Sequence, residues 1–213
     1  MQALTAIGEV GIEVEGRSYL LRPSLFSMTR IGSPSEILEA FALLCGSEPP
    51  CVFPNCPVLD AAAKWRRDRF SVALIVMNSC TEDDLGELIG GFSGPRRYTP
   101  GRMPMADIIQ VARSLILHGV TGNAKPDPRK PVKPGDYLTE FRAKDYVACA
   151  MAHLGASERD AWAMTMTSFT AAMRSKYPPP EDKPDYKAPP TPEVIDATME
   201  RLRKINALRE GKK

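Results

Sequence analysis

Residues 154–177, LGASERDAWAMTMTSFTAAMRSKY, decide how this chain folds. Trp162, Met166, Phe169, Met173 and Tyr177 recur at spacings of four, three, four and four. On a helix that spacing makes one continuous apolar stripe, wide enough to pack against a partner. Ser157 followed by Glu158 and Asp160 reads as the helix start, because a hydroxyl caps free backbone N–H groups and acids favour the first turn. Thr165 and Thr167 can each cap a helix as well. The stretch therefore has two readings, one smooth helix or a short helix ending near Met164 and a second beginning near Thr167. In the second, Trp162 locks the corner, and Phe169 and Met173 form the face open to a partner. Methionine and aromatic side chains suit a packed core and an adaptable binding surface alike.

Upstream, the signals are again helical. Ser24–Ile31 predicts a short helix closed by Gly32, and Ser33-Pro34 predicts the start of another over Pro34–Leu44, with proline in the favoured first position. A long helix is expected over about Val58–Asn78, with Ala62, Ala63, Phe70, Ala73, Leu74 and Met77 on one face. Trp65, Val72 and Val76 widen that face, which makes it the central, most enclosed helix. Thr81–Ile89 reads as a short helix capped by Thr81, followed by a loop over Gly90–Met103 that holds Arg96, Arg97 and Arg102. Pro104–His118 is amphipathic through Met105, Ile108, Ile109, Ala112, Leu115 and Ile116. Arg142–Leu154 is expected to turn Tyr146, Val147, Ala150, Met151 and Leu154 inward and to stop at Gly155. Gly46–Pro57 and Gly119–Gly135, each with four prolines, read as loops.

The N-terminus is different. Glu9–Val14 alternates in polarity, Glu15-Gly16 supplies a turn, Ser18–Leu21 returns, and Pro23 ends the pair. A lone hairpin is marginal, so it must pack on the helices or pair with another chain. At the other end Pro178–Pro190 has six prolines in thirteen residues and reads as a semi-extended linker. A last amphipathic helix carries Ile195, Met199, Leu202, Ile205 and Leu208, too short for a coiled coil.

The expected fold is mainly α: a helical bundle-like domain with a small N-terminal β-hairpin, and a C-terminal amphipathic helix after a Pro-rich linker. The expected boundaries are 1–22 for the hairpin, 23–177 for the helical domain, 178–190 for the linker and 191–213 for the last helix.

Composition bounds the partners. The 213 residues are 43% hydrophobic and 25% charged with a net charge of +2, so no strong field argues for nucleic acid or an anionic membrane. The most apolar run, Val72–Met77, is too short to cross a bilayer, and no basic-then-apolar leader opens the sequence, so a cytoplasmic protein is expected. Cys45, Cys51 and Cys56 lie close together, with Cys80 as a conceivable fourth zinc ligand. The missing CxxC spacing and the distance of both histidines argue against a metal.

Catalytic patterns are equally thin. The stretch from Gly86 to Gly94 lacks the lysine and Ser/Thr of a phosphate loop, and GxSxG, HExxH and GxGxxG are absent. His118, just before Gly119, reads as a cap for helix carbonyls, and His153 as an ordinary helical residue. Glu82, Asp83 and Asp84 fit the positive end of a helix better than a metal. No catalytic, cofactor-binding or metal-binding residue is therefore expected. Ser157–Tyr177 can also be divided as a helix-turn-helix around Met164-Thr165. Its second helix, however, carries only Arg174 and Lys176 as basic residues, late rather than at the end that reads bases.

Three stretches together are similar to a known group. GEVGIEVEGRSYLLRPSLFSMTRIGSPSEI, MPMADIIQVARSLILHGVTG and DYVACAMAHLGASERDAWAMTMTSFTAAMRSKYP, within residues 8–178, resemble a family encoded in the tail modules of tailed bacteriophages and prophages. The order of features resembles that of phage tail assembly chaperones. The carrying steps are Leu21-Arg22-Pro23-Ser24 and Trp162-Ala163-Met164-Thr165, with Phe169 on the helix that follows. The resemblance implies a non-enzymatic protein that binds the tape measure protein while tail tube protein is recruited around it in the host cytoplasm, and that is absent from the mature virion. Partner-binding residues are expected to be Trp162, Met166, Phe169 and Met173, with Ile195, Met199 and Leu202 as a tethered element. Homo-oligomers fit the same picture. The alternatives are a structural tail or head–tail connector protein, found in purified virions, and a small nucleic-acid-binding or zinc-containing regulator.

Overall fold

Alternation along Val10–Val14 (β1) and Arg17–Leu21 (β2) builds an antiparallel hairpin in which Val14 faces Arg17 across a two-residue turn. Both turn residues are left-handed, Glu15 at φ 48° and Gly16 at φ 80°, the twist that two-residue hairpin loops require. The computed structural model describes residues 3–48, 58–92, 94, 97–122, 139–178 and 199, without the side chains of 58–60. The expected linker, the loops over 49–57 and 123–138, and most of the C-terminal helix lie outside these residues. By contacts the chain divides into a unit Met1–Lys176 and a second, Tyr177–Lys213. The hairpin is therefore part of the helical body, not a separate piece. Its tip is held by two ion pairs, Arg17 with Glu87 at 2.8 Å and Glu15 with Arg102.

Mainly helical structure follows, as the periodicity predicts. The helices are α1 (Leu25–Thr29), α2 (Pro34–Cys45), α3 (Val58–Ser79), α4 (Gly86–Ile89), α5 (Met105–Ile116), α6 (Ala143–Cys149), α7 (Glu158–Ala163) and α8 (Met166–Lys176). Glu36 accepts the Ser33 N–H at 2.6 Å and so closes the start of α2, an interaction that also holds its carboxyl below the usual range. The main packing is α3 on α5, with α2 against both. Phe70, Ala73, Leu74, Val76 and Met77 of α3 meet Ile108, Ala112, Leu115 and Ile116 of α5 in one core.

Several sequence expectations need correction. The first half of α3 is largely open: Ala62 is buried at 2% exposure as expected, but Ala63 is exposed with its charged neighbours, and the continuous buried face starts at Phe70. Alanines cannot mark a buried face by periodicity because they cost little on either side. Thr81–Ile89 is helical only over Gly86–Ile89. Before it, Thr81 accepts the Asp83 N–H at 3.2 Å and Asp84 accepts the Gly86 N–H at 2.9 Å, so these side chains make turns in place of a helix. The expected loop Gly90–Met103 contains a two-residue ladder, β3 (Gly91–Phe92) with β4 (Tyr98–Thr99), fastened by the Tyr98 hydroxyl donating to the Ile89 carbonyl at 2.5 Å.

Helix α5 also runs on. Leu117–Thr121 forms a π-helical turn that carries the chain straight through His118 and Gly119 to Gly122. A second π-helical turn, Ala150–Leu154, extends α6 to Gly155, and each turn stops at its glycine in the left-handed region. The wider turn changes the helical phase, and Met151, expected inside, points outward. Met105 is exposed because the first turn of α5 projects beyond the core. Gly119 is where this path needs a glycine: a Cβ there would lie 2.5 Å from Met28 Sδ.

Candidate functional site

The deciding stretch splits in two. Ser157 caps α7 by accepting the Asp160 N–H at 3.2 Å, and the helix ends at Met164, which is extended. Thr165, almost fully buried, then caps α8. Its hydroxyl accepts the Ser168 N–H at 3.2 Å, while the Ser168 hydroxyl accepts the Thr165 N–H at 3.1 Å. Of the two threonines that could cap, Thr165 does so. Thr167 instead sits 2.8 Å from Nδ1 of His118 in the first π turn.

The corner is tied to the N-terminal segment. The Leu25 N–H donates to the Met164 carbonyl at 2.8 Å, and Ser24 pairs with Thr165 in an isolated antiparallel bridge. Leu21, Leu25 and Met28 are fully buried beside this junction, and α1 touches α2, α3, α6, α7 and the first π turn. The Leu-Arg-Pro-Ser and Trp-x-Met-Thr steps thus form one joint. Arg22 serves it from the side: its Nε donates at 2.5 Å to Glu9, whose buried carboxylate also accepts the Leu4 N–H at 2.9 Å.

The split sends the apolar stripe to two places. Trp162, half-buried, meets exposed Phe26 edge-to-face with ring centroids 6.4 Å apart. Met166 is 2% exposed and Phe169 7%, so both belong to the core, while Met173 is half-buried and Tyr177 exposed. Phe169 is the floor of a surface, not its face. Tyr146 stands between Phe141, stacked at 5.3 Å, and Phe169, edge-on at 5.7 Å. Burial pushes the Tyr146 phenol up, aided by nearby Asp145, so it remains a protonated donor.

On each side of this aromatic trio lies a groove. One, of about 810 Å³, runs between α6 and α8, with Tyr146, Cys149, Phe169, Thr170 and Met173 along it and Glu140, Arg142 and Arg174 at its edges. The other, of about 690 Å³, runs between α2 and α8 past Leu38, Phe41, Phe141 and Met166. Tyr146, Phe169 and Thr170 line both, so the two adjoin along α8. Helix α8 is itself clamped between the π turns, by Thr167 on His118 and by Lys176 Nζ donating to the His153 carbonyl. The helix-turn-helix division is present at Met164-Thr165, but burial of Met166 and Phe169 occupies the face that would enter a groove of DNA.

The remaining expected residues are elsewhere. Ile195 and Leu202 lie outside the described residues; Met199, helical and exposed, belongs to the second unit. Cys51 and Cys56 also lie outside them. Cys80 is buried, with its thiol pushed up to about 12 by desolvation, and burial also raises that of Cys45 despite Arg113 and Arg69 nearby. Among the described residues no three His, Cys, Asp or Glu side chains gather as metal ligands would, and no helix is long and apolar enough to cross a membrane. The signal missed in the sequence is the participation of α2 and Phe141 in the groove, since neither lies near α8 along the chain.

No curated protein and no solved structure matches the chain. A family does, over residues 21–189, a span that opens at the Leu-Arg-Pro-Ser step and includes α1 to α8. The chain belongs to that family of unknown function (DUF6246).

Proposed function

We propose that this protein is a non-enzymatic tail assembly chaperone of a tailed phage or prophage, one that holds a helical segment of the tape measure protein in the groove along α8. The observation that carries the binding half of this reading is the groove itself, with aromatic and methionine side chains on its floor and charged residues at its edges. That is the anatomy of a helix-in-groove site, in which an amphipathic helix lays its apolar face on such a floor. Met173 and Thr170 offer soft, partly open surface, while Phe169 and Tyr146 keep the floor rigid. The phage half rests on the resemblance carried by residues 8–178.

On this reading the protein acts in the host cytoplasm, helps recruit tail tube protein and is absent from the finished virion. The test is co-expression with the tape measure protein of the same phage. Co-purification and an increased soluble fraction of the tape measure protein are expected. If neither occurs, or if the protein is a stoichiometric component of purified virions, the chaperone reading fails.

A further inference from the structure

The joint between the two sequence steps has an outer surface that the α8 groove does not use. Phe26 is half exposed and Trp162 half-buried against it, and both line a separate cavity of about 610 Å³ together with Arg22, Arg30 and Arg159. Two of these guanidiniums have structural tasks: Arg22 pairs with Glu9, and Arg30 donates to the Thr81 carbonyl at 3.0 Å. Arg159, exposed on α7, has no hydrogen-bond or ion-pair partner among the described residues. A guanidinium has five donors in a planar fork, so Arg159 is fully available to a carboxylate and Arg30 keeps donors in reserve.

We propose that this cavity is a docking site for an amphipathic helix of a partner protein that carries one carboxylate beside an apolar anchor. One apolar side chain would rest on the Phe26–Trp162 pair and a neighbouring carboxylate would engage Arg159. Charge complementarity selects that occupant. The exposed Glu82 also lines the cavity, and Glu158 and Asp160 flank Arg159 on α7, so a polyanion such as nucleic acid meets repulsion on both sides. A single carboxylate beside an apolar anchor fits the one unengaged arginine. Phenylalanine, tryptophan and arginine are also residue types enriched at protein interfaces.

The test uses the full-length protein and a fluorescein-labelled helical peptide of glutamine, leucine and alanine that carries one glutamate, compared with the same peptide carrying glutamine in its place. Fluorescence anisotropy is expected to show saturable binding of the glutamate peptide and roughly tenfold weaker binding of the glutamine form. Arg159→Glu and Phe26→Ser, both at exposed positions, are each expected to weaken binding by a similar factor. Met173→Glu, in the α8 groove, leaves it unchanged, so this site and the proposed tape measure site fail or stand separately. Equal binding of both peptides, retained binding by Arg159→Glu, or no saturable binding at all overturns the proposal.

Discussion

The backbone N–H of Leu25 donates to the carbonyl of Met164 at 2.8 Å, joining the start of α1 to the corner between α7 and α8. This bond explains why the stripe from Trp162 to Tyr177 cannot remain one helix. The Met164 carbonyl is committed outside the helix, Met164 is extended, and Thr165 begins a new helix in its place. The corner divides the apolar residues between the core, the α8 groove and the Phe26 contact.

The cap at this corner is exposed to mutation. Thr165→Val removes the buried hydroxyl that accepts the Ser168 N–H and leaves that partly buried group poorly satisfied. A loss of about 1–2 kcal/mol is expected in denaturant titration, whereas Thr165→Ser keeps most of the stability.

The first π turn passes Met28 at close range. Gly119→Ala places a methyl 2.5 Å from Met28 Sδ and should cost about 1–3 kcal/mol. Combining it with Met28→Val should recover part of that loss. A double-mutant cycle measures the coupling, and strict additivity would show that the two residues do not meet.

The Leu-Arg-Pro-Ser arginine is expected to be structural. Arg22→Met leaves the carboxylate of Glu9, 2% exposed, without its cation; because Arg22 is itself 47% exposed, a loss of about 1.5–3 kcal/mol is expected. Far-ultraviolet melts of Arg22→Met should show a large fall in midpoint, with recovery when Glu9→Gln is added.

His118 should make stability depend on pH. Burial, with Gly8 packed against its ring, holds the imidazole below its ordinary value of 6.5. The folded state therefore prefers the neutral ring more than the unfolded chain does. That preference contributes stability in full above about pH 6.5, and the contribution is lost as pH falls towards the folded-state value. The thermal midpoint should fall between about pH 7 and about pH 5, and His118→Asn should flatten that part of the profile.

Much of this fold was legible locally. The Glu15-Gly16 turn and the Ser33 and Ser157 helix starts lie where a few neighbouring residues put them. Helices α2 and α3 end within one residue of their expected ends, whereas α1 is shorter than the expected Ser24–Ile31 because Ser24 stands outside it as the cap. The π turns left no such trace: LHGVTG reads as a helix end because glycine stops helices, yet Gly119 is there to let Met28 approach. Spacing puts Met105 and Met151 on apolar faces, yet both lie outside, since one falls beyond the core edge and the other follows a change of helical phase. The candidate site was half legible. Residues on α8 follow from periodicity, but Leu38, Phe41 and Phe141 reach the groove through tertiary contacts that no local pattern records.

The claim that α8 borders a partner groove is tested most directly by comparing Met173→Glu with wild type in co-purification with the tape measure protein, each variant's thermal midpoint being recorded alongside. Met173 is half-buried at the groove, so the variant should stay folded and lose the partner, whereas Phe169→Asp should simply unfold. Met173→Glu that stays folded and retains the tape measure protein at the wild-type level would contradict the account.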